Sequence, residues 1–319
     1  MKMVPGIQEL RNLVVVRAGQ SSLHNGWLAG QNERTWDLLV SYYDADAFGN
    51  DTSGMPKFFC AGGKWDGLFR TLNEVVDLSR YDYVWLPDDD LEASTQTINR
   101  IFELARLHNL AVCQPALTLD SYFSHIHTLT CAGFKLRFAN YVEIMAPCLR
   151  RDTLQQLLPY VSNSKSGFGL DDVWCRLQPD NHKSAAIFDD APVRHTRHTR
   201  PVGLHLKSVV HQSGLSQEYE GAVLKNSFGF LDRTRPVCYA GIDSRGMMVN
   251  GPQSTGLRMA LSHLKTWNKP PKNQQIRKDF FRMLRRQLIG TVDFSQIHLL
   301  PLKENDRKPA SLSRQADNE

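Results

Sequence analysis

Over its first two thirds the chain alternates short apolar runs with amphipathic stretches, and that alternation restricts it to folds in which strands are joined by crossover helices. The runs Leu13 to Val16, Asp37 to Tyr43, Tyr81 to Leu86, Ala111 to Gln114 and Tyr141 to Ala146 are each bounded by polar, Gly or Pro residues and read as strands. Helical spacing runs from Gly67 to Leu78, from Ser94 to His108 and from Arg151 to Tyr160. In the second of these, Ile98, Ile101, Phe102, Ala105 and Leu110 trace one apolar face behind Ser94, a good N-cap. The pattern predicts an α/β fold with a central, mostly parallel sheet flanked by helices. Around Phe123 to Phe138 aromatic and polar residues alternate, which predicts an antiparallel insertion.

Beyond His211 the alternation stops and Gly, Ser and Pro become frequent. The expected division is a main domain over residues 8–210, a mixed or helical extension over 211–302 and a polar, disordered tail over 303–319. Helices are expected from Thr255 to Trp267 and from Asn273 to Leu288, with Pro270 and Pro271 between them. The net charge is +5, and its basic excess gathers in the C-terminal third, so phosphate-bearing ligands or an anionic membrane surface suit the chain as partners. Nucleic acid is not expected, because the basic residues lack a recognised motif or an ordered stacking platform. No apolar run has the length of a spanning helix or a signal peptide, and the six cysteines form no CxxC pair. A cytoplasmic location with reduced core thiols is therefore expected.

The segment YDYVWLPDDDL sets Asp88, Asp89 and Asp90 directly after an apolar strand, at the edge where open α/β sheets bind their ligands. Adjacent carboxylates repel unless a cation neutralises them, and aspartate oxygens suit Mn²⁺ or Mg²⁺, which can also carry a diphosphate. Asp88 and Asp90 project to similar sides of an extended backbone and make the expected metal pair. The competing reading is a cap for the helix that begins near Ser94, which accounts for one carboxylate and not three.

Downstream, SKSGFGLDDVWCRL places Gly167 and Gly169 before Asp171 and Asp172 at the start of a short helix. Either carboxylate, held beside a bound sugar, can accept the proton of an incoming hydroxyl; either can equally serve as a helix-start residue. In APVRHTRHTRPVG, His195 or His198 can supply a further metal ligand, while Arg194, Arg197 and Arg200 can hold phosphate oxygens in forked contacts. The alternative for this segment is an exposed basic loop.

In their order along the chain, LVVVRAG, GGKWDGL, YVWLPDDDL, GFGLDD and HTRPVG resemble the GT-A glycosyltransferase superfamily and, more closely, the glycosyltransferase-like family known as domain of unknown function 707. The resemblance covers roughly residues 11 to 205, one domain's worth of chain. It implies a Rossmann-like GT-A domain in which Asp88 and Asp90 bind a divalent ion carrying the diphosphate of a sugar nucleotide, with Asp89 close by and His198 as the late metal ligand. It also implies that Arg17 and Asp44 lie near the nucleoside, that Lys64 lies near the phosphates, where the residues themselves also set Arg200, and that Asp171, then Asp172, is the base. The HTRHTR doubling departs from the family pattern and leaves His195 beside His198; His198 directly precedes the Thr-Arg-Pro-Val-Gly run.

The implied activity is metal-dependent transfer of a sugar from a nucleoside-diphosphate donor to a hydroxyl on a glycan, a lipid-linked acceptor or another molecule. A metal-dependent nucleotidyltransferase or phosphohydrolase would use the same carboxylates, and a non-catalytic nucleotide-sugar-binding protein would keep the pocket alone. The stretch NQQIRKDFFRMLRRQLIG joins five basic residues to a set of apolar ones. It reads either as a helix packed on the domain with its basic face in water or as a peripheral contact with the inner face of a membrane.

Overall fold

A computed structural model describes residues 11–162, 164–197, 217–230, 232–266, 276–298 and 300. In chain order the strands are β1 (Asn12–Ala18), β2 (Asp37–Tyr42), β3 (Lys57–Phe59), β4 (Tyr83–Trp85), β5 (Leu91–Glu92), β6 (Val112–Leu117), β7 (Phe134–Ala139), β8 (Cys148–Arg150), β9 (Ala185–His195), β10 (Cys238–Asp243) and β11 (Met248–Asn250). The helices are α1 (Ala45–Asn50), α2 (Lys64–Val75), α3 (Thr95–Leu107), α4 (Arg151–Val161), α5 (Leu170–Val173), α6 (Gln217–Ser227), α7 (Pro252–Lys265) and α8 (Ile276–Ile289).

The strands form one mixed sheet in the order β11-β10-β7-β9-β6-β8-β4-β1-β2-β3, with β5 paired to the end of β9. Pairing is parallel through β3, β2, β1 and β4 and again between β6 and β9, while β8 lies antiparallel between β4 and β6. The expected α/β architecture is thus present, and β1, β2, β4, β6 and β9 all end at the same edge of the sheet. The segment after residue 211 contributes β10 and β11, which extend the sheet from β7.

Both faces are covered, so β1 reads as an unbroken apolar run instead of an alternating one. Val14 and Val16 face a core shared with Ile98, Phe102, Met259 and Phe280, whereas Leu13 and Val15 face a second core with Leu68, Leu72, Leu154 and Leu157. Helices α3, α7 and α8 therefore cover one face, and α2 and α4 the other. Helix α3 begins where its N-cap signal lies: the Ser94 side chain accepts a hydrogen bond from the Thr97 amide.

The expected strand from Tyr141 to Ala146 does not form. This segment connects β7 to β8, with Tyr141, Val142, Met145 and Ala146 buried. Its carbonyls serve other groups: Val142 O accepts from the Trp174 indole, and Met145 O from the Asp88 amide. Burial alone made the segment look like a strand, because a buried connector and a buried strand are equally apolar. In the Phe123 to Phe138 region, regular strand begins only at Phe134, and β7 pairs antiparallel with β9 and β10.

A buried ion pair pins β7 to β9. Arg137 on β7 and Asp189 on β9 have side chains 0% and 3% exposed and meet at 2.8 Å. The guanidinium also donates to the carbonyls of His127 and Leu129, and Asp189 accepts from the Cys131 amide. Burial opposes both charges, and Asp189 outweighs it for Arg137, which stays firmly protonated. Removing one partner leaves an uncompensated buried charge. Asp189→Asn is expected to lower unfolding stability by about 3 kcal/mol or more, measured as a reduced midpoint in urea with the slope unchanged.

Candidate active site

The turn after β4 carries the three consecutive aspartates, and each carboxylate meets its own cationic side chain. Lys64, the first residue of α2, lies 2.6 Å from Asp88 and also donates to the carbonyls of Ile144 and Met145. Arg197 lies 2.9 Å from Asp89, which further accepts from the Gly19 amide just past β1. His195, the last residue of β9, sets its Nε2 3.1 Å from Asp90. None of the three caps α3, whose cap is Ser94, so the capping reading of this cluster fails.

The convergence has a backbone cause. Immediately after the turn, β5 pairs antiparallel with the end of β9, in the register Leu91 to His195 and Glu92 to Arg194. The Asp90 carbonyl then accepts from both the amide and the hydroxyl of Thr196. On its other side the His195 ring meets the Tyr122 carbonyl through Nδ1 at 2.9 Å, which orients the imidazole. Burial lowers the His195 pKa, but the Asp90 hydrogen bond and charge outweigh it and hold the group above its ordinary value. Of the two histidines in the doubled motif, the described chain brings His195 to the aspartates. His198 and Arg200 lie outside the described residues.

Among the described residues no three His, Cys, Asp or Glu side chains gather closely enough to hold a cation alone. Two donors nevertheless suit one. Asp90 Oδ1 is buried without a hydrogen-bond partner, and the Asp88 side chain keeps 37% exposure. Burial raises Asp88 and Lys64 lowers it; with that much solvent contact the upward push is a partial one. One or two carboxylates, completed by substrate phosphate and water, are what Mg²⁺ ordinarily uses, so the donor set fits a hard cation brought in with a diphosphate.

Beside this turn, at the ends of β1 and β2, a cavity of about 660 Å³ is lined by Gly19, Ser22, His24, Tyr42, Asn50 and Asp51 among others. The His24 ring places Nδ1 2.7 Å from Ser22, and its Nε2 is buried and unpartnered. Asp44 borders the region but is engaged as the N-cap of α1, accepting from the Ala47 amide. Arg17 is turned inward: 4% exposed, it donates to Ser41 and to the Gly62 carbonyl, and its Nε has no partner.

The second acidic pair divides its duties. Asp172 is tied to structure, accepting from the Thr234 amide and lying 3.5 Å from Lys225 on α6. Asp171 accepts a short hydrogen bond from the Tyr141 hydroxyl, whose oxygen is 3.3 Å from His125 Nε2. Burial pushes Asp171 up to about 6, and Asp172 adds to the rise while the Tyr141 hydrogen bond opposes it. Gly167 has a φ of +70°, and a Cβ there would sit 2.0 Å from the Trp65 ring. Only glycine lets this turn lie against α2 and deliver Asp171.

Sequence reasoning passed over Glu143, which is 6% exposed and has one carboxylate oxygen without a partner. Burial pushes it up to about 7; the nearby His195 lowers it, and Asp171 and Asp88 raise it. Glu143 thus lies within electrostatic reach of both the aspartate turn and Asp171. The available signal was a carboxylate inside the apolar run YVEIMAP, a position that is costly unless used.

No family model and no curated protein sequence matches the chain. Solved structures similar to it include a CMP:2-keto-3-deoxy-manno-octonic acid synthetase complexed with CTP, at 12% identity over 46% of this chain and 76% of that one, with a TM-score of 0.30. S. aureus TarS in complex with UDP-GlcNAc shares 10% identity over 67% of this chain and 70% of that chain, with a TM-score of 0.37. A 4-diphosphocytidyl-2C-methyl-D-erythritol synthase from Anaerococcus prevotii shares 9% identity over 48% and 75%, with a TM-score of 0.32. Likenesses this faint assign neither family nor reaction.

The Asp90 partnership makes a direct prediction. In Asp90→Asn the imidazole keeps its burial and loses its counter-charge, so the His195 pKa is expected to fall below its ordinary value. Titration of the ring resonances by NMR checks this, and an unchanged His195 curve would show that the pair does not set its charge.

Proposed function

We propose that this chain is a metal-dependent glycosyltransferase of the GT-A type, transferring a sugar from a nucleoside-diphosphate donor to a hydroxyl acceptor. The observation that carries the reading is that the aspartate turn gathers Lys64, Arg197 and His195 beside an open cavity at the ends of β1 and β2, with Glu143 within electrostatic reach of both Asp88 and Asp171. The cavity beyond Gly19 has the size to take a nucleoside, and the aspartate turn is joined to its lining through the Gly19 amide, on the side toward which a diphosphate would extend. Asp88 and Asp90 would hold Mn²⁺ or Mg²⁺, with Asp89 and Arg197 beside them, and Arg200 and His198 remain proposed phosphate and metal contacts. When bound, the cation neutralises charge that grows on the departing diphosphate.

The residues of the chain supply the rest. Lys64 adds a fixed positive charge beside Asp88, and the oriented His195 ring holds Asp90 in place. Asp171, partly desolvated and held by Tyr141, takes the proton of the attacking hydroxyl if the reaction inverts the anomeric centre. Arg17 and Asp44 act from behind the nucleoside pocket, by fixing β1 against β2 and by capping α1. We assign residues 8–210 to the catalytic unit and 211–302 to its extension, with a cytoplasmic location. Among the described residues no helix is long and apolar enough to cross a membrane.

The test is a panel of uridine and guanosine diphosphate sugars incubated with the protein, Mn²⁺ and a pool of acceptors. Release of nucleoside diphosphate with a glycosylated product is expected; release of nucleoside monophosphate would instead identify a phosphodiester-cleaving enzyme. Asp171→Asn should lower kcat by about a hundredfold or more while donor binding persists. Because the base works deprotonated, kcat/KM should climb as pH rises through about 6, the value to which burial pushes Asp171, and this limb should vanish in the variant.

A further inference from the structure

The basic helix α8 is docked, not free. Phe280, Met283 and Gln287 are buried, and the Gln287 amide exchanges hydrogen bonds with the backbone of Cys238 at the start of β10. Docking brings Arg282 and Arg286 to a small recess of about 30 Å³, lined also by Ser124, His125, His127 and Pro236. Arg233 and Arg235 do not line the recess; they are exposed, within electrostatic reach of Arg286. Arg282 pairs with Asp279 at 2.9 Å. The side chains of Arg286, Arg233 and Arg235 make no hydrogen bond or ion pair among the described residues, and the carboxylates within electrostatic reach of the four guanidinium groups are Asp279 and, for Arg233, Asp171.

Two further observations give the recess a direction. His127 is 4% exposed, and its Nε2 is buried with no partner. His125 links the recess to the proposed base, with its Nε2 3.3 Å from the Tyr141 oxygen that donates to Asp171. Burial, then the charges of Arg286, Arg233 and Arg282, push His125 down to about 4, so the imidazole is neutral in ordinary buffer. Burial followed by its three arginine neighbours also lowers Arg286. Concentrated like charges of this kind are relieved by an anion, and the recess lies one imidazole and one phenol away from Asp171.

We propose that this recess is an acceptor subsite that holds a phosphate group of the acceptor on Arg282 and Arg286, with Arg233 and Arg235 adding positive charge at its rim. The term acceptor rests on the glycosyl-transfer reading; the anion site does not. Phosphate fits better than carboxylate on charge. With Asp279 and Asp171 counted, two guanidinium charges remain; one carboxylate would leave one of them unneutralised, whereas a phosphate monoester brings about −1.5 to −2 and three oxygens for forked contacts. The recess is too small for a sugar ring or a base, so it selects the charged end of the acceptor and leaves the rest outside. A soluble phosphate ester and a lipid phosphate present the same chemistry here.

Calorimetric titration of the full chain with inorganic phosphate, at ionic strength held constant with chloride, is the test. Saturable binding is expected for the wild type, weakened about tenfold or more in the R282Q/R286Q double variant and less in R286K, which keeps charge but loses the fork. A second arm sediments the protein with vesicles of phosphatidic acid or of phosphatidylcholine. Arginine-dependent retention on phosphatidic acid alone supports the site and identifies a lipid phosphate, and binding of free phosphate without retention supports it and identifies a soluble one. Absence of binding in both arms, or equal binding by wild type and R282Q/R286Q, overturns the proposal. Binding of uridine diphosphate with Mn²⁺, measured in parallel, reports that the variants are folded and keeps the two readings separate. Arginine-dependent phosphate binding without any nucleotide binding would sink the transferase and leave the anion site standing.

Discussion

Three adjacent carboxylates at the end of a buried strand cannot share one turn without help, since two like charges about 4 Å apart repel by about 4 kcal/mol even at an effective dielectric near 20. The fold answers with three cations from different parts of the chain: Lys64 from the start of α2, His195 from the end of β9 and Arg197 just beyond it. Each pairing draws in a neighbouring element. Lys64 also binds the Ile144 and Met145 carbonyls, His195 the Tyr122 carbonyl, and Arg197 the backbone of Ser21. Neutralising one acidic turn thereby fixes the ends of β1 and β9, the start of α2 and the connector before β8 relative to one another.

This arrangement works only if β9 is held in register, because a slip of one residue would turn His195 away from Asp90. The Arg137 and Asp189 pair supplies that restraint inside the sheet, six residues before the histidine, and the β5 pairing supplies it at the tip. Glu143 then ties the aspartate side of the site to the Asp171 side. It lies within electrostatic reach of His195, Asp88 and Asp171, so a proton gained or lost at any of them is felt by the others. Tyr141 and His125 continue the chain of polar groups outward to the arginines of α8.

Much of the framework was legible in the residues. The apolar runs marked β1, β2, β4 and β6 to within a few positions, and Ser94 marked the start of α3, because buried strands and N-caps are set by local chemistry. That the aspartate turn is more than a helix cap was legible, since three carboxylates after a buried strand exceed what a cap requires and the cap of α3 is Ser94. The Tyr141 to Ala146 segment was misread as a strand, because apolarity reports burial and not backbone form. Glu143 went unnoticed within that same segment, and the division of labour between Asp171 and Asp172 was undecidable from two adjacent identical residues.

The sequence by itself determined that this chain forms an α/β sheet with an acidic turn at the C-terminal end of one of its strands, because hydrophobic periodicity and capping act over a few residues at a time. Only the tertiary structure decided which distant cation serves each aspartate, that His195 is the histidine at Asp90, and that the basic helix turns two arginines toward the His125 recess. Those pairings join positions up to about a hundred residues apart or more. They depend on strand register and helix docking, which no local pattern encodes.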